Sequence, residues 1–169
     1  AYKVVRQDAT CAPLQLAPQR VRSLAPSVVR AGPAPEKSKY PPLLFIHGAF
    51  VGAWTWEEHF LKFFAERGFS CHAVNLPGRM GMADHKRLHD FGIEDFVTAV
   101  NVVVDDLPRP PVLIGHSMGG FMALRAASQW PERVRRLVAV EPMCFGTLHT
   151  GDPADGQALA EDRAAIDAL

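Results

Sequence analysis

Val112-Leu113-Ile114-Gly115-His116-Ser117-Met118-Gly119-Gly120 decides how the rest of the chain is read. Val112, Leu113 and Ile114 form a short apolar run suited to a strand buried on both faces. Gly115-His116-Ser117-Met118-Gly119 fits the spacing G-x-S-x-G, and an apolar helical pattern begins at Gly120. In that spacing a strand turns sharply into a helix and lifts one serine hydroxyl above the end of a parallel sheet. The flanking glycines follow from sterics, because a Cβ at either would collide with the neighbouring strand and helix. Ser117 would then stand at a helix N-terminus, where free backbone N–H groups can hold developing negative charge.

Upstream, Leu43–Ile46 reads as a strand running into His47-Gly48-Ala49. Trp54, Trp56, Phe60, Phe63 and Phe64 have helical spacing, and Gly68 supplies the stop. That spacing favours core packing for Trp54, Trp56, Phe60 and Phe64 over lining a substrate pocket. Ser70–Leu76 is a second strand ending at Pro77-Gly78, followed by a polar loop to about Gly92. Ile93, Phe96, Val97, Val100, Val103, Val104 and Leu107 trace one apolar helix face, closed by Pro108, Pro110 and Pro111.

Downstream, helix Met118–Trp130 stops before Pro131, strand Val134–Val140 finishes at Glu141-Pro142, and a further helix is expected over Gly156–Leu169. Pro13, Pro18, Pro26, Pro33, Pro35, Pro41 and Pro42 interrupt the N-terminal region, leaving short edge strands near Lys3–Arg6 and Ser27–Arg30. Strands alternating with single helices predict an α/β fold, a doubly wound, mostly parallel sheet with helices on both faces. Three regions are expected: a Pro-rich segment over 1–40, a core over 41–142, and a loop and helix over 143–169 that begin a cap.

Active groups in such sheets collect at the carboxyl ends of the strands. Gly48 and Ala49 lie there, so the N–H groups of Ala49 and Met118 are candidates for a two-donor oxyanion hole. One such donor is worth about 3–4 kcal/mol of transition-state stabilisation. His47 is a tempting base, but a strand-end histidine beside a turn glycine is expected to hold its own loop by side-chain hydrogen bonds. His116 adjoins Ser117, yet a sharp turn sends successive side chains apart. Glu141 is either an acid for a base or, as expected here, a carboxylate that caps the next turn. His149 is expected to be an exposed loop histidine. His85 and His89 have the i, i+4 spacing that can ligate zinc on a helix, but lack a convincing third ligand and read as a solvated face. No metal or organic cofactor is expected.

Eighteen basic residues balance eighteen acidic ones, so no net field favours nucleic acid or an anionic membrane. Arg133, Arg135 and Arg136 read as a solvated corner. No apolar run approaches the roughly 18 residues needed to span a bilayer, and the N-terminus lacks a signal-peptide pattern. Cys11, Cys71 and Cys144 offer neither a disulfide framework nor metal-ligand spacing; Cys71 reads as a small core residue. A reducing, cytoplasmic setting is the expectation. The chain opens at Ala1 without Met and stops at Leu169 inside a helical pattern, which reads as a fragment or a processed piece.

His47-Gly48-Ala49-Phe50-Val51-Gly52-Ala53-Trp54 resembles the "HGA…GAW" oxyanion segment of α/β-hydrolases. Leu76-Pro77-Gly78-Arg79-Met80-Gly81 is similar to their "L-x-G-x-G" turn, with Arg79 where a histidine is usual, and Gly115 to Gly120 matches their elbow. Over roughly residues 40 to 142 the chain resembles the N-terminal part of that superfamily, in the group that includes esterases, lysophospholipase-like enzymes and plant methylesterase and hydroxynitrile-lyase relatives. The resemblance implies Ser117 as nucleophile, Ala49 and Met118 as oxyanion hole, and a small-molecule ester-like substrate hydrolysed through an acyl-enzyme. It also implies a triad in the order Ser, Asp or Glu, His, with the acid and the histidine expected beyond Leu169. Three alternatives stay open: a ligand-binding protein on the hydrolase scaffold, a truncated form whose open sheet edge pairs with another copy as a homo-oligomer, and lyase or perhydrolase chemistry on the same serine.

Overall fold

Leu43-Leu44-Phe45-Ile46 is buried on both faces, which marks it as a central strand. The computed structural model describes residues 26–79 and 88–143, all within the unit Leu16–Met143. Five strands are present there: β1 (Ser27–Ala31), β2 (Leu43–Ile46), β3 (Cys71–Asn75), β4 (Val112–His116) and β5 (Arg136–Val140). They pair in the order β1-β3-β2-β4-β5, with β1 antiparallel to β3 and every other pair parallel. Phe45 stands opposite Ala73 on one side and Ile114 on the other, and His116 stands opposite Val140.

The expected doubly wound, mostly parallel α/β sheet is therefore the observed architecture. β1 is an edge strand, as read from Ser27–Arg30; the strand expected at Lys3–Arg6 and the helix expected at Gly156–Leu169 lie outside the described residues. β5 begins two residues later than expected, at Arg136, after the 3-10 turn Pro131–Arg133.

Helix α1 runs over residues 54–65, α2 is Ile93–Asp105 and α3 is Met118–Gln129. Right-handed crossovers place these helices. β2-α1-β3 steps one way across the sheet and β4-α3-β5 steps the other, so α1 and α3 cover opposite faces. Leu43, Phe45, Cys71 and Ala73 face α1 and pack with Trp56, Leu61 and Phe64. By strand alternation Leu44, Ile46, Val74 and Leu113 turn to the other face, where α3 packs on β4, β5 and β2 with α2 beside it. Asp95 Oδ2 accepts the Gly92 N–H at 2.9 Å and closes the start of α2.

One expectation needs correction. Of the four aromatic residues assigned to the core, Trp56 is buried, but Trp54 is 66% and Phe60 47% exposed. For Phe60 the cause is a π-helical turn over Glu57–Leu61. It sets residues five apart on one face, so Trp56 and Leu61 share the buried stripe and Phe60 rotates outward. Trp56 still contacts both neighbours, with its ring 5.3 Å from Phe45 and 5.1 Å from Phe60.

β2 and β4 are adjacent, yet the chain leaves them toward opposite edges. That reversal point opens a crevice outside the carboxyl ends of the two strands, and Ala49 and Ser117 follow those ends. No helix among the described residues is long and apolar enough to cross a membrane.

The long β1–β2 connection is tied down by Arg109, whose Nη2 donates to the carbonyls of Pro35 (3.0 Å), Ser38 (2.9 Å) and Tyr40 (2.7 Å). Arg109→Ala should lower unfolding stability by about 1–2 kcal/mol, read by urea denaturation, and leave the far-ultraviolet circular dichroism unchanged.

Candidate active site

Ser117 joins β4 to α3 with φ 55° and ψ −123°, a left-handed backbone that costs a non-glycine residue roughly 1–3 kcal/mol. Main-chain bonds hold it on both sides. Its N–H donates to Val140 O at 3.0 Å, and its carbonyl accepts from Phe121 N–H at 3.2 Å and Met143 N–H at 3.1 Å. Ser117 is the N-cap residue of α3, but its hydroxyl makes no capping bond to the helix.

Glycines allow this turn. A Cβ on Gly119 would lie 2.3 Å from Ile46 O and 2.5 Å from His47 O. One on Gly115 would lie 2.2 Å from Gly119 O. Both contacts are with backbone, which cannot swing aside as a side chain can. The G-x-S-x-G glycines are thus required by the approach of α3 to β2 and β4.

The same approach brings the turn after β2 against Ser117. A Cβ on Gly48 would sit 3.4 Å from Ser117 Cβ, so the Gly48-Ala49 segment borders the serine directly. Ala49 is half-buried in that turn, and Met118, at the start of α3, is buried. The N–H of Met118 belongs to the first helical turn, which has no intrahelical acceptor.

Two polar side chains, one buried and one half-buried, set the course of this loop. His47 is fully buried; its Nδ1 donates to Gly48 O at 2.7 Å and its Nε2 accepts the Leu76 N–H at 3.1 Å. That pattern requires the neutral Nδ1–H tautomer, and burial holds the ring at about 4 with the Arg79 charge adding to the effect. His47 holds its own loop, as expected, and its lone pair is unavailable to Ser117. Asn75 was not singled out in the sequence. Its Oδ1 accepts the Ala53 N–H at 2.8 Å, and a Cβ on Gly52 would lie 2.9 Å from that oxygen. The cue was a polar residue closing an otherwise apolar strand.

His116 is exposed; a Cβ on Gly48 would lie 3.5 Å from its Nδ1, and its ring makes no hydrogen bond to Ser117 among the described residues. Glu141 is exposed too, with φ 45°, directly after the residue paired with His116. Its carboxylate makes no hydrogen bond among the described residues, and the turn it was expected to cap runs on outside them. His89 is exposed in the 3-10 turn Leu88–Asp90, while His85 and His149 lie outside the described residues. Among the described residues, no group of three or more His, Cys, Asp or Glu is placed to hold a metal.

Cys71 is buried in β3, and burial pushes its thiol up to about 11, which leaves it unreactive as a thiolate. Arg133 pairs with Asp105, and Arg135 and Arg136 are exposed, as the solvated-corner reading requires.

Residues 41–167 match the sequence profile described as the alpha/beta hydrolase fold. The (Lyso)-N-acylphosphatidylethanolamine lipase of Mus musculus is 30% identical over 125 residues, covering 72% of this chain and 36% of the lipase. The pimeloyl-[acyl-carrier protein] methyl ester esterase of Nitrosomonas europaea is 33% identical over 106 residues, covering 62% of this chain and 39% of the esterase. Among solved structures, the thioesterase domain from the curacin biosynthetic pathway is similar with a TM-score of 0.61 at 26% identity, over 84% of this chain and 48% of that one. The chain spans well under half the length of these curated relatives.

Gly119→Ala should cost about 3 kcal/mol or more, since backbone must move to admit the methyl group; chemical denaturation measures the loss. A second expectation concerns acid. His47 and His72 are both buried and held at about 4, below the ordinary 6.5, His72 by desolvation first and by the Arg30 charge second. The unfolded chain binds the extra protons, so stability present above pH 6.5 is lost as pH falls toward 4, by roughly 1.4 kcal/mol per pH unit for each ring. Unfolding curves between pH 7.5 and 4.5 should show that slope, and His72→Gln, which can keep the hydrogen bond that His72 Nε2 makes with Ser70 Oγ at 3.0 Å, should remove one ring's share.

Proposed function

The chain belongs to the alpha/beta hydrolase fold family, and from that premise we propose that it carries the nucleophile and oxyanion hole of a serine hydrolase acting on small-molecule carboxylic esters. One observation carries the reading. Ser117 is held in a strained backbone at the carboxyl end of β4, directly beside the Gly48-Ala49 turn, with its hydroxyl unused by the helix it precedes. Strain retained at a sheet's switch point is a mark of a preorganised group. The lipase and esterase names of the similar proteins support the ester substrate class.

In this reading Ser117 Oγ attacks the ester carbonyl carbon and gives its proton to a histidine outside the described residues. The tetrahedral oxyanion is held by the N–H groups of Ala49 and Met118. Collapse expels the alcohol, which takes the proton back from the histidine and leaves an acyl group on Ser117. Water, deprotonated by the same histidine, then releases the acid.

A ligand-binding role without turnover is the second reading. It draws on the fact that His47, the buried histidine nearest the elbow in the fold, has both ring nitrogens engaged.

Ser117→Ala in the intact protein should lower ester turnover by at least about a thousandfold and abolish labelling by a fluorophosphonate probe while unfolding stability stays near wild type. Turnover that survives the substitution overturns the hydrolase reading. Small-molecule binding by a wild-type protein that neither turns over ester nor accepts the probe selects the second.

A further inference from the structure

We propose, building on the hydrolase reading, that Arg79 recognises an anionic group of the substrate, a carboxylate or a phosphate, carried about two strand spacings from the ester carbonyl. Arg79 follows the carboxyl end of β3 through the turn Leu76-Pro77-Gly78, and its N–H bonds Leu76 O at 3.0 Å. Gly78 has φ 77°, and a Cβ there would lie 2.9 Å from Leu88 Cδ1 and 3.2 Å from Leu88 Cα, so the turn is pinned from outside as well as within. β3 neighbours β2, and β2 neighbours β4. At about 4.8 Å per strand, the carboxyl end of β3, which Arg79 follows, stands roughly 10 Å from that of β4, which Ser117 follows.

The guanidinium there is half-buried and has no counter-charge among the described residues. Its Nε is buried and has no hydrogen-bond partner, and Arg79 forms no ion pair among the described residues. A cation drawn out of water with an unpaired N–H is costly to maintain, and burial already lowers its affinity for the proton. His47 feels the Arg79 charge but cannot balance it, because its ring is kept neutral by the Gly48 and Leu76 bonds. What would satisfy this site is an oxyanion, for which the planar guanidinium fork is the best-matched side chain. The site then selects an ester whose acyl or alcohol part ends in an anion rather than in a methyl group.

The test follows the Arg79 Nε–H resonance of the full chain by nitrogen-edited NMR, identified by its loss in Arg79→Gln, during titration with decanoate, decyl phosphate and decanol. Decanoate or decyl phosphate should shift it at concentrations about tenfold or more below decanol, and whichever anion acts at the lower concentration identifies the oxyanion. Turnover provides the second arm. A 4-nitrophenyl ester with a terminal carboxylate or phosphate should exceed its methyl-capped counterpart about tenfold in kcat/KM, with the difference in KM. Arg79→Gln should erase that ratio and Arg79→Lys should keep part of it. Equal shifts by decanoate, decyl phosphate and decanol, or a ratio that survives Arg79→Gln, overturn the proposal. Should Arg79→Gln fail to fold, the wild-type titration and Arg79→Lys decide it on the same terms. Anion-induced shifts without turnover of any ester would sink the hydrolase reading and leave the anion site standing.

Discussion

The first turn of α3 lies so close to the end of β2 that no side chain fits between them, and the site geometry derives from this contact. Gly119 meets the carbonyls of Ile46 and His47, Gly115 meets the start of the helix, and a Cβ on Gly120 would come within 3.1 Å of Pro142 Cβ. With the helix held at that distance, the residue between strand and helix has little freedom. Ser117 takes φ 55° and is kept there by bonds to Val140, Phe121 and Met143. Glu141 carries the other positive φ of a non-glycine residue among the described residues, at 45°, one step beyond the pair His116–Val140. Two strained residues thus close adjacent strands side by side, each limiting how the other can relax.

A second constraint is polar and buried. The loop from Gly48 to Ala53 crosses the top of the sheet, and its main chain is held by His47 at one end and Asn75 at the other. His47 is buried and Asn75 half-buried, so losing His47 would leave the Leu76 N–H unsatisfied in low dielectric. The course of the main chain on either side of Ala49 therefore depends on these two side chains. The chain's zero formal charge means that any field at this edge is local, and Arg79 is a half-buried source of it.

Much of the fold was legible because its signals are short-range. The apolar runs at 43–46 and 112–114, the proline stops after α2 and α3, and the glycine spacing around Ser117 each report on geometry within a few residues. Other features depend on residues far apart in the chain. The outward rotation of Phe60 depends on a π-helical turn that aromatic spacing does not announce. Likewise, the role of Asn75 depends on Ala53 and Gly52 lying across the end of β3.

From the amino-acid order alone came the sheet class, the elbow and the identity of the serine at its apex, since strand, turn and helix propensities act between near neighbours. Tertiary structure alone decided that His47 is neutral and bonded to Leu76, that β1 pairs antiparallel with β3, and that Gly48 lies beside Ser117. Each of those facts is a contact between segments separated by tens of residues. Such contacts come into being only when the chain has packed, because burial and partner together set a group's charge and direction.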